Sequence, residues 1–184
     1  FGSNKKYTYQ VAELMNKYDI LWSAIGVRVN SVEKKDLEFY QKNGCSLLQF
    51  GIESGSETML DIMEKKFSVD NVKKTLFACY DIGLNALPTG FMLGMPGETE
   101  KTVMESAKLM GELCERLGVA PEFVWTHNDL MYTIPLVGTP MYEYGKQLGL
   151  IGENVDAEEQ YLETTSNVSA YKRSYINFNG APMS

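Results

Sequence analysis

The chain has few of the residues that build metal knuckles and disulfide frameworks. Its 184 residues include three cysteines, Cys45, Cys79 and Cys114, and one histidine, His127. An odd number of widely spaced cysteines argues against a disulfide framework and against a self-contained metal knuckle. A reducing, cytoplasmic setting is the default that follows. Positive charge is also short, with 17 Lys and Arg against 24 Asp and Glu, a formal charge of −7 and a pI near 4.8. A footprint on a phosphate backbone would be basic, so nucleic acid is not an expected partner. No apolar run is long enough to span a membrane, and the first residues show no signal-peptide pattern. What remains, 44% hydrophobic and 22% charged residues, suits a globular domain with a sizeable core.

One unit recurs along the chain. Helical stretches end at QKNG (Gly44), YDIG (Gly83), ERLG (Gly118) and KQLG (Gly149). Glycine just past a helix end is the usual left-handed cap, because it has no Cβ to clash there. Strand-like runs follow the first three caps: CSLLQFGI, LNALPTGFMLG and VAPEFVWTHNDLMYTI. Upstream, DILWSAIGVRV reads as a further strand after the helix TYQVAELMNKY. Alternating helices and strands predict parallel βαβ units, about four strands with flanking helices. Four strands cannot close an eight-stranded barrel, which needs about 250 residues. Val103, Ala107, Met110, Cys114 and Leu117 share one helical face, as do Val72, Leu76, Cys79, Tyr80 and Gly83. Cys79 and Cys114 therefore read as buried thiols, and so does Cys45 at a strand start. Ser31, Ser56, Ser68 and Thr99 stand where helix N-caps are expected. After Leu150 the pattern fades. Residues 1–149 read as the α/β body and 150–184 as a polar C-terminal extension.

In parallel α/β folds ligands bind at the carboxyl ends of strands. The first strand delivers Arg28 there, and the second delivers Glu53 and Ser54 within FGIESGS. The third delivers GFMLGMPGET at 90–99, with Met92, Gly94 and Glu98. The fourth delivers His127, Asn128, Asp129 and Tyr132, then IPLVGTP with Pro135. A carboxylate accepts a pair of hydrogen bonds, which suits a vicinal diol such as a ribose. Gly51 and Gly55 on either side of Glu53 leave room for a ligand. An ion pair between Glu53 and Arg28 on the neighbouring strand is the structural alternative. A lone strand histidine such as His127 is more often an interior side chain than a catalyst, though it also suits a proton donor facing a substrate. Trp22 and Trp125 read as core.

The ordered set of GC, FGIESGS, ML, a Met-x-Lys, GFMLGMPGET and PLVGTPMY resembles the radical S-adenosylmethionine (radical SAM) superfamily. The likeness is closest to the branch that often carries a cobalamin-binding domain, and it covers about residues 1–145. It implies a partial TIM-like (β/α) barrel. It implies that Glu53 binds the ribose hydroxyls of S-adenosylmethionine, that Met92 and Gly94 line the adenine, and that Tyr132 to Pro135 close the adenine side. Arg28 and Ser54 would face the methionine part or the substrate. It also implies a parent enzyme, of oxidoreductase or methyltransferase type, that cleaves the cofactor to a 5′-deoxyadenosyl radical.

The family's CxxxCxxC loop, which holds a [4Fe–4S] cluster, is not among these 184 residues. The resemblance therefore points to the C-terminal part of such a domain, with the N-terminal part of the barrel as its partner, and leaves open whether the parent binds cobalamin as well. It also points to self-association across an open strand edge. Two other readings belong beside it. One is a nucleoside-binding or scaffolding chain without chemistry of its own. The other is a glycosidase using Glu53 and Glu98 as its carboxylate pair.

Overall fold

The computed structural model of the chain describes residues 4–118, 131–166 and 175–179. These fall into two units. The first comprises residues 1–91 and 100–130, and the second 92–99 and 131–184.

The first unit begins with helix α1 (Lys5–Lys17), strand β1 (Trp22–Val27), a 3₁₀ turn (Val29–Ser31) and helix α2 (Lys34–Lys42). Strand β2 (Cys45–Gly51), the short helix α3 (Glu57–Ile62), helix α4 (Val69–Asp81) and strand β3 (Asn85–Thr89) follow. Helix α5 (Glu100–Leu117) completes it. The strands form one parallel sheet in the order β1-β2-β3. The fold is thus α/β with parallel strands and flanking helices, as the repeating pattern predicts. Gly44, Gly83, Gly118 and Gly149 all have positive φ, between 66° and 84°, as the cap reading requires. At Gly44 a side chain would also strike a carbonyl, since a Cβ there would lie 2.9 Å from Ile20 O.

Strand periodicity sorts the sheet's two faces. Ala24, Val27, Cys45, Leu48, Phe50 and Ala86 are buried among Leu37, Tyr40, Val72, Leu76, Cys79, Leu109 and Leu113 of the helices. The alternate positions Leu47, Gln49, Gly51, Leu87 and Thr89 are only half-buried. All three cysteines lie in the buried core, and burial pushes the Cys45 and Cys79 thiols up to about 11 and about 12. Helix α1 is tied to α2 by buried Asp36, which accepts from Lys5 Nζ at 2.8 Å, from Glu33 N at 2.7 Å and from the Tyr9 hydroxyl.

Ser68 caps α4 as expected, its hydroxyl accepting from Asn71 N at 3.1 Å while Asn71 Oδ1 accepts from Ser68 N. At α2 the expected cap is replaced, and at α3 Ser56 holds the N-cap position without making the cap bond. Glu33, not Ser31, stands at the start of α2, and the Ser56 hydroxyl donates to Glu105 instead of capping α3.

The run read as one strand, LNALPTGFMLG, is broken. β3 ends at Thr89, Gly90 takes φ +72°, and strand β4 (Met92–Leu93) belongs to the second unit. There β4 pairs in parallel with strand β5 (Met131–Tyr132). The expected fourth strand otherwise falls on residues 119–130, outside the described residues, and so do His127, Asn128, Asp129 and Trp125.

Helices α6 (Pro140–Gln147) and α7 (Val155–Ser166) complete the second unit. The described residues after Leu150 pack into it. Tyr142, Ile151 and Ile176 form a small core with Tyr161, Leu162 and Phe178. Ile176 makes an antiparallel bridge to Thr133, donating to its carbonyl at 2.9 Å. No helix among the described residues is long and apolar enough to cross a membrane.

Candidate functional site

The first unit brings Glu53 to the end of β2. Its φ is +62°, a left-handed conformation unusual for a residue with a Cβ. Such strain is kept where the surroundings over-determine it, often at ligand sites. The side chain turns back over the strand end. A Cβ on Gly51 would lie 2.9 Å from Glu53 Oε1, and one on Gly90 would lie 3.9 Å from the same atom. Oε1 therefore sits over a notch floored by two glycines, at the ends of β2 and β3.

The other oxygen, Oε2, is buried and accepts no hydrogen bond of ordinary geometry. Its neighbour is the Lys65 ammonium, which forms an ion pair with it. The alternative ion pair with Arg28 is not formed. Arg28 is exposed at the end of β1, its carbonyl accepting from Ser31 N and Oγ. Burial, and then the nearby Arg28 charge, hold the Lys65 pKa below that of an ordinary lysine. In the sequence Lys65 is marked only by the Met-x-Lys of Met63–Lys65, a pattern that does not by itself place it beside Glu53.

Gly55 and Ser54 have different work. A Cβ on Gly55 would lie 2.7 Å from Ser106 Cα and 2.9 Å from Leu109 Cβ, so this glycine makes room for α5 and not for a ligand. Ser54 is 4% exposed. Its hydroxyl shares a 3.1 Å hydrogen bond with the Ser106 hydroxyl and accepts from Ser56 N at 3.1 Å. Ser54 thus fastens the turn after β2 to α5, and its hydroxyl is already engaged.

The second unit holds the GMPGE turn. Gly94 has φ +81° and is buried. Its N–H donates to Glu98 Oε2 at 2.7 Å, and its carbonyl accepts from Phe178 N at 2.8 Å. Glu98 Oε2 also accepts from Asn179 Nδ2 at 3.1 Å. Burial raises the Glu98 pKa despite these two bonds. Glu98 is thus spent on its own loop, a poor setting for one member of a glycosidase pair. Met92 and Tyr132 are half-buried on the paired strands β4 and β5, and Tyr132 lies 5.9 Å from the Tyr175 ring. Pro135 is buried, its carbonyl accepting from the Tyr161 hydroxyl at 2.6 Å.

Comparison with known proteins adds the frame for this geometry. The family model described as the Radical SAM superfamily matches residues 3–110. The chain belongs to the radical SAM superfamily. A tRNA-2-methylthio-N(6)-dimethylallyladenosine synthase of Anaplasma phagocytophilum is 25% identical over 155 residues, 80% of this chain and 33% of its own length. An uncharacterized methyltransferase of Pyrococcus horikoshii is 30% identical over 146 residues, 78% of this chain and 29% of its own length. The chain therefore spans about a third or less of these curated relatives. Among solved structures, the radical SAM enzyme coproporphyrinogen III oxidase from Escherichia coli aligns with 60% of this chain and 26% of its own, at TM-score 0.52 and 17% identity. The cobalamin-dependent S-adenosylmethionine radical enzyme OxsB aligns with 78% and 25%, at TM-score 0.54 and 16% identity. These likenesses show the radical SAM fold.

The radical SAM family implies S-adenosylmethionine and a [4Fe–4S] cluster, and the residues answer differently to each. A carboxylate whose Oε1 stands above a glycine notch, its Oε2 held by Lys65, fits a ligand that offers a hydroxyl donor. The cluster has no such fit. Thiolates are its ligands, whereas the cysteines here are buried in the core. Among the described residues no group of three or more His, Cys, Asp or Glu is placed to hold a metal ion.

Proposed function

We propose that this chain supplies the nucleoside-binding part of a radical SAM enzyme, of oxidoreductase or methyltransferase type, with Glu53 accepting hydrogen bonds from the ribose hydroxyls of S-adenosylmethionine. The observation that carries this reading is the Glu53 carboxylate poised over Gly51 and Gly90. When bound and reduced in such an enzyme, the cofactor supplies a 5′-deoxyadenosyl radical. The residues of this chain bind and orient it. Glu53, paired with Lys65, presents acceptor oxygens, so it selects hydroxyl donors over groups that can only accept. Gly51 and Gly90 let the sugar approach the strand ends closely. Arg28, exposed at the end of β1, is available to an anionic part of the cofactor or the substrate. The cluster would be held by residues other than these.

The test is equilibrium binding of S-adenosylhomocysteine to the chain and to Glu53→Gln. Gln keeps the size and one acceptor but puts a donor where the second acceptor stood. Losing a hydrogen bond to a charged group costs about 1.5–3 kcal/mol, so affinity should fall about ten- to hundredfold. Unchanged affinity would remove Glu53 from the site. The chain alone, incubated with iron, sulfide, reductant and S-adenosylmethionine, should release no 5′-deoxyadenosine. Release above the protein-free control would show that these residues assemble a cluster after all.

A further inference from the structure

The two oxygens of Glu53 have unequal surroundings, and Lys65 is the cause. Oε2 is buried against the Lys65 ammonium, while Oε1 lies over the notch between Gly51 and Gly90. A carboxylate that forked onto the two hydroxyls of a ribose, one oxygen to each, would need both oxygens open, and Oε2 is taken by Lys65.

The loop that delivers Lys65 is fixed. It leaves the end of α3 with Glu64 N donating to Asp61 O and Lys65 N donating to Leu60 O, both at 2.9 Å. Glu64 and Lys66, on either side, have φ of +53° and +60°, so Lys65 stands between two strained residues neither of which is glycine. The far side is held by Asn30 Nδ2, which donates to Lys66 O at 3.2 Å. The side chain is three-quarters buried, at 25% exposure, close enough to Arg28 to feel its charge. A cation buried near a second cation is held there by its anion. Strain at Glu53, strain on both sides of Lys65 and burial of both groups converge on one ion pair.

We propose, resting on the nucleoside reading above, that Lys65 is a positioning residue which holds Oε2 and aims Oε1 at a single ribose hydroxyl. The site then recognises the diol asymmetrically. One hydroxyl is read by Glu53, and the other is placed without a bond to it.

The experiment measures binding of S-adenosylhomocysteine and of its 2′-deoxy and 3′-deoxy analogues to the chain, to Lys65→Met and to Lys65→Arg. Thermal unfolding of each variant confirms that it is folded. Methionine keeps the length and apolar stem of lysine, and arginine keeps the charge. The chain should lose about tenfold in affinity for one deoxy analogue and less than about twofold for the other. Lys65→Met should bind the parent ligand about tenfold more weakly and treat the two analogues alike. Lys65→Arg should restore the asymmetry, which a merely structural lysine has no means of doing. Equal losses for both analogues in the unmodified chain would mean that Glu53 grips both hydroxyls, overturning this inference and sparing the nucleoside reading. So would a Lys65→Met variant that binds as the parent does. If neither analogue is weakened, or if nothing binds, the nucleoside reading falls and takes the inference with it.

Discussion

Asp36→Ala should lower the stability of the chain by about 3 kcal/mol, mostly through two of the bonds the carboxylate accepts. Asp36 is fully buried, at 0% exposure, and its carboxylate accepts from the Tyr9 hydroxyl, Glu33 N and Lys5 Nζ. Losing the Glu33 bond removes a helix-start contact worth about 1 kcal/mol. Losing the Tyr9 bond removes a hydrogen bond to a charged acceptor, worth about 1.5–3 kcal/mol. Lys5 is left out of the sum because its ammonium can return to water. The same network fixes the pH dependence. Burial favours the neutral acid, but the bonds from Lys5, Tyr9 and Glu33 outweigh it and leave the Asp36 pKa below the ordinary value of 3.8. A carboxyl whose folded pKa is depressed contributes stability above its unfolded pKa. That contribution is lost as pH falls through the folded value. The midpoint of thermal unfolding should therefore drop below pH 4, and Asp36→Ala should flatten its share of that drop. Denaturant unfolding at pH 7 and pH 3 reads both effects. A variant as stable as the parent at pH 7 would show that α1 is held by other means.

Much of this fold is legible in the sequence because its signals are local. The caps at Gly44, Gly83, Gly118 and Gly149 require only a backbone without Cβ, and all four have positive φ. The parallel order follows from helices alternating with strands, and FGIESGS puts Glu53 at a strand end for the same reason. What stayed hidden depends on chain far away or on conformations without a residue signature. Strand-end geometry favours Arg28 as the neighbour of Glu53. Lys65 arrives instead through a loop whose positive φ falls on Glu64 and Lys66, where no glycine announces it. The break between β3 and β4 was masked by apolar residues on both sides of Gly90. Residues 175–179 read as part of a polar tail, yet Ile176 bridges to Thr133 and Phe178 N reaches Gly94. Those partners lie more than forty residues back, beyond the reach of periodicity.

The glycines of FGIESGS should separate when each is replaced by alanine, because they face different obstacles. At Gly55 the new Cβ would fall 2.7 Å from Ser106 Cα, 2.9 Å from Leu109 Cβ and 3.1 Å from Glu105 O. Two of these are backbone atoms of α5, so relief requires the helix to move. Overpacking a tight contact costs about 1–3 kcal/mol, and moving a helix that buries Leu109, Met110 and Leu113 belongs at the top of that range. Gly55→Ala is thus expected to cost about 3 kcal/mol. Pairing it with Ser106→Gly should recover nothing, since the obstructing Cα remains. At Gly51 the new Cβ would meet Glu53 Oε1 at 2.9 Å, the far end of a flexible side chain. The carboxylate can swing away, so stability should change by less than about 1 kcal/mol. Its acceptor would then leave the notch, and binding of S-adenosylhomocysteine should weaken about tenfold. Urea titration and ligand titration of the two variants give a crossed pattern: Gly55→Ala unstable, Gly51→Ala stable but weak in binding. If Gly51→Ala binds normally, Oε1 does not act from that notch. If Gly55→Ala is as stable as the parent, α5 does not pack on the turn as closely as its contacts require.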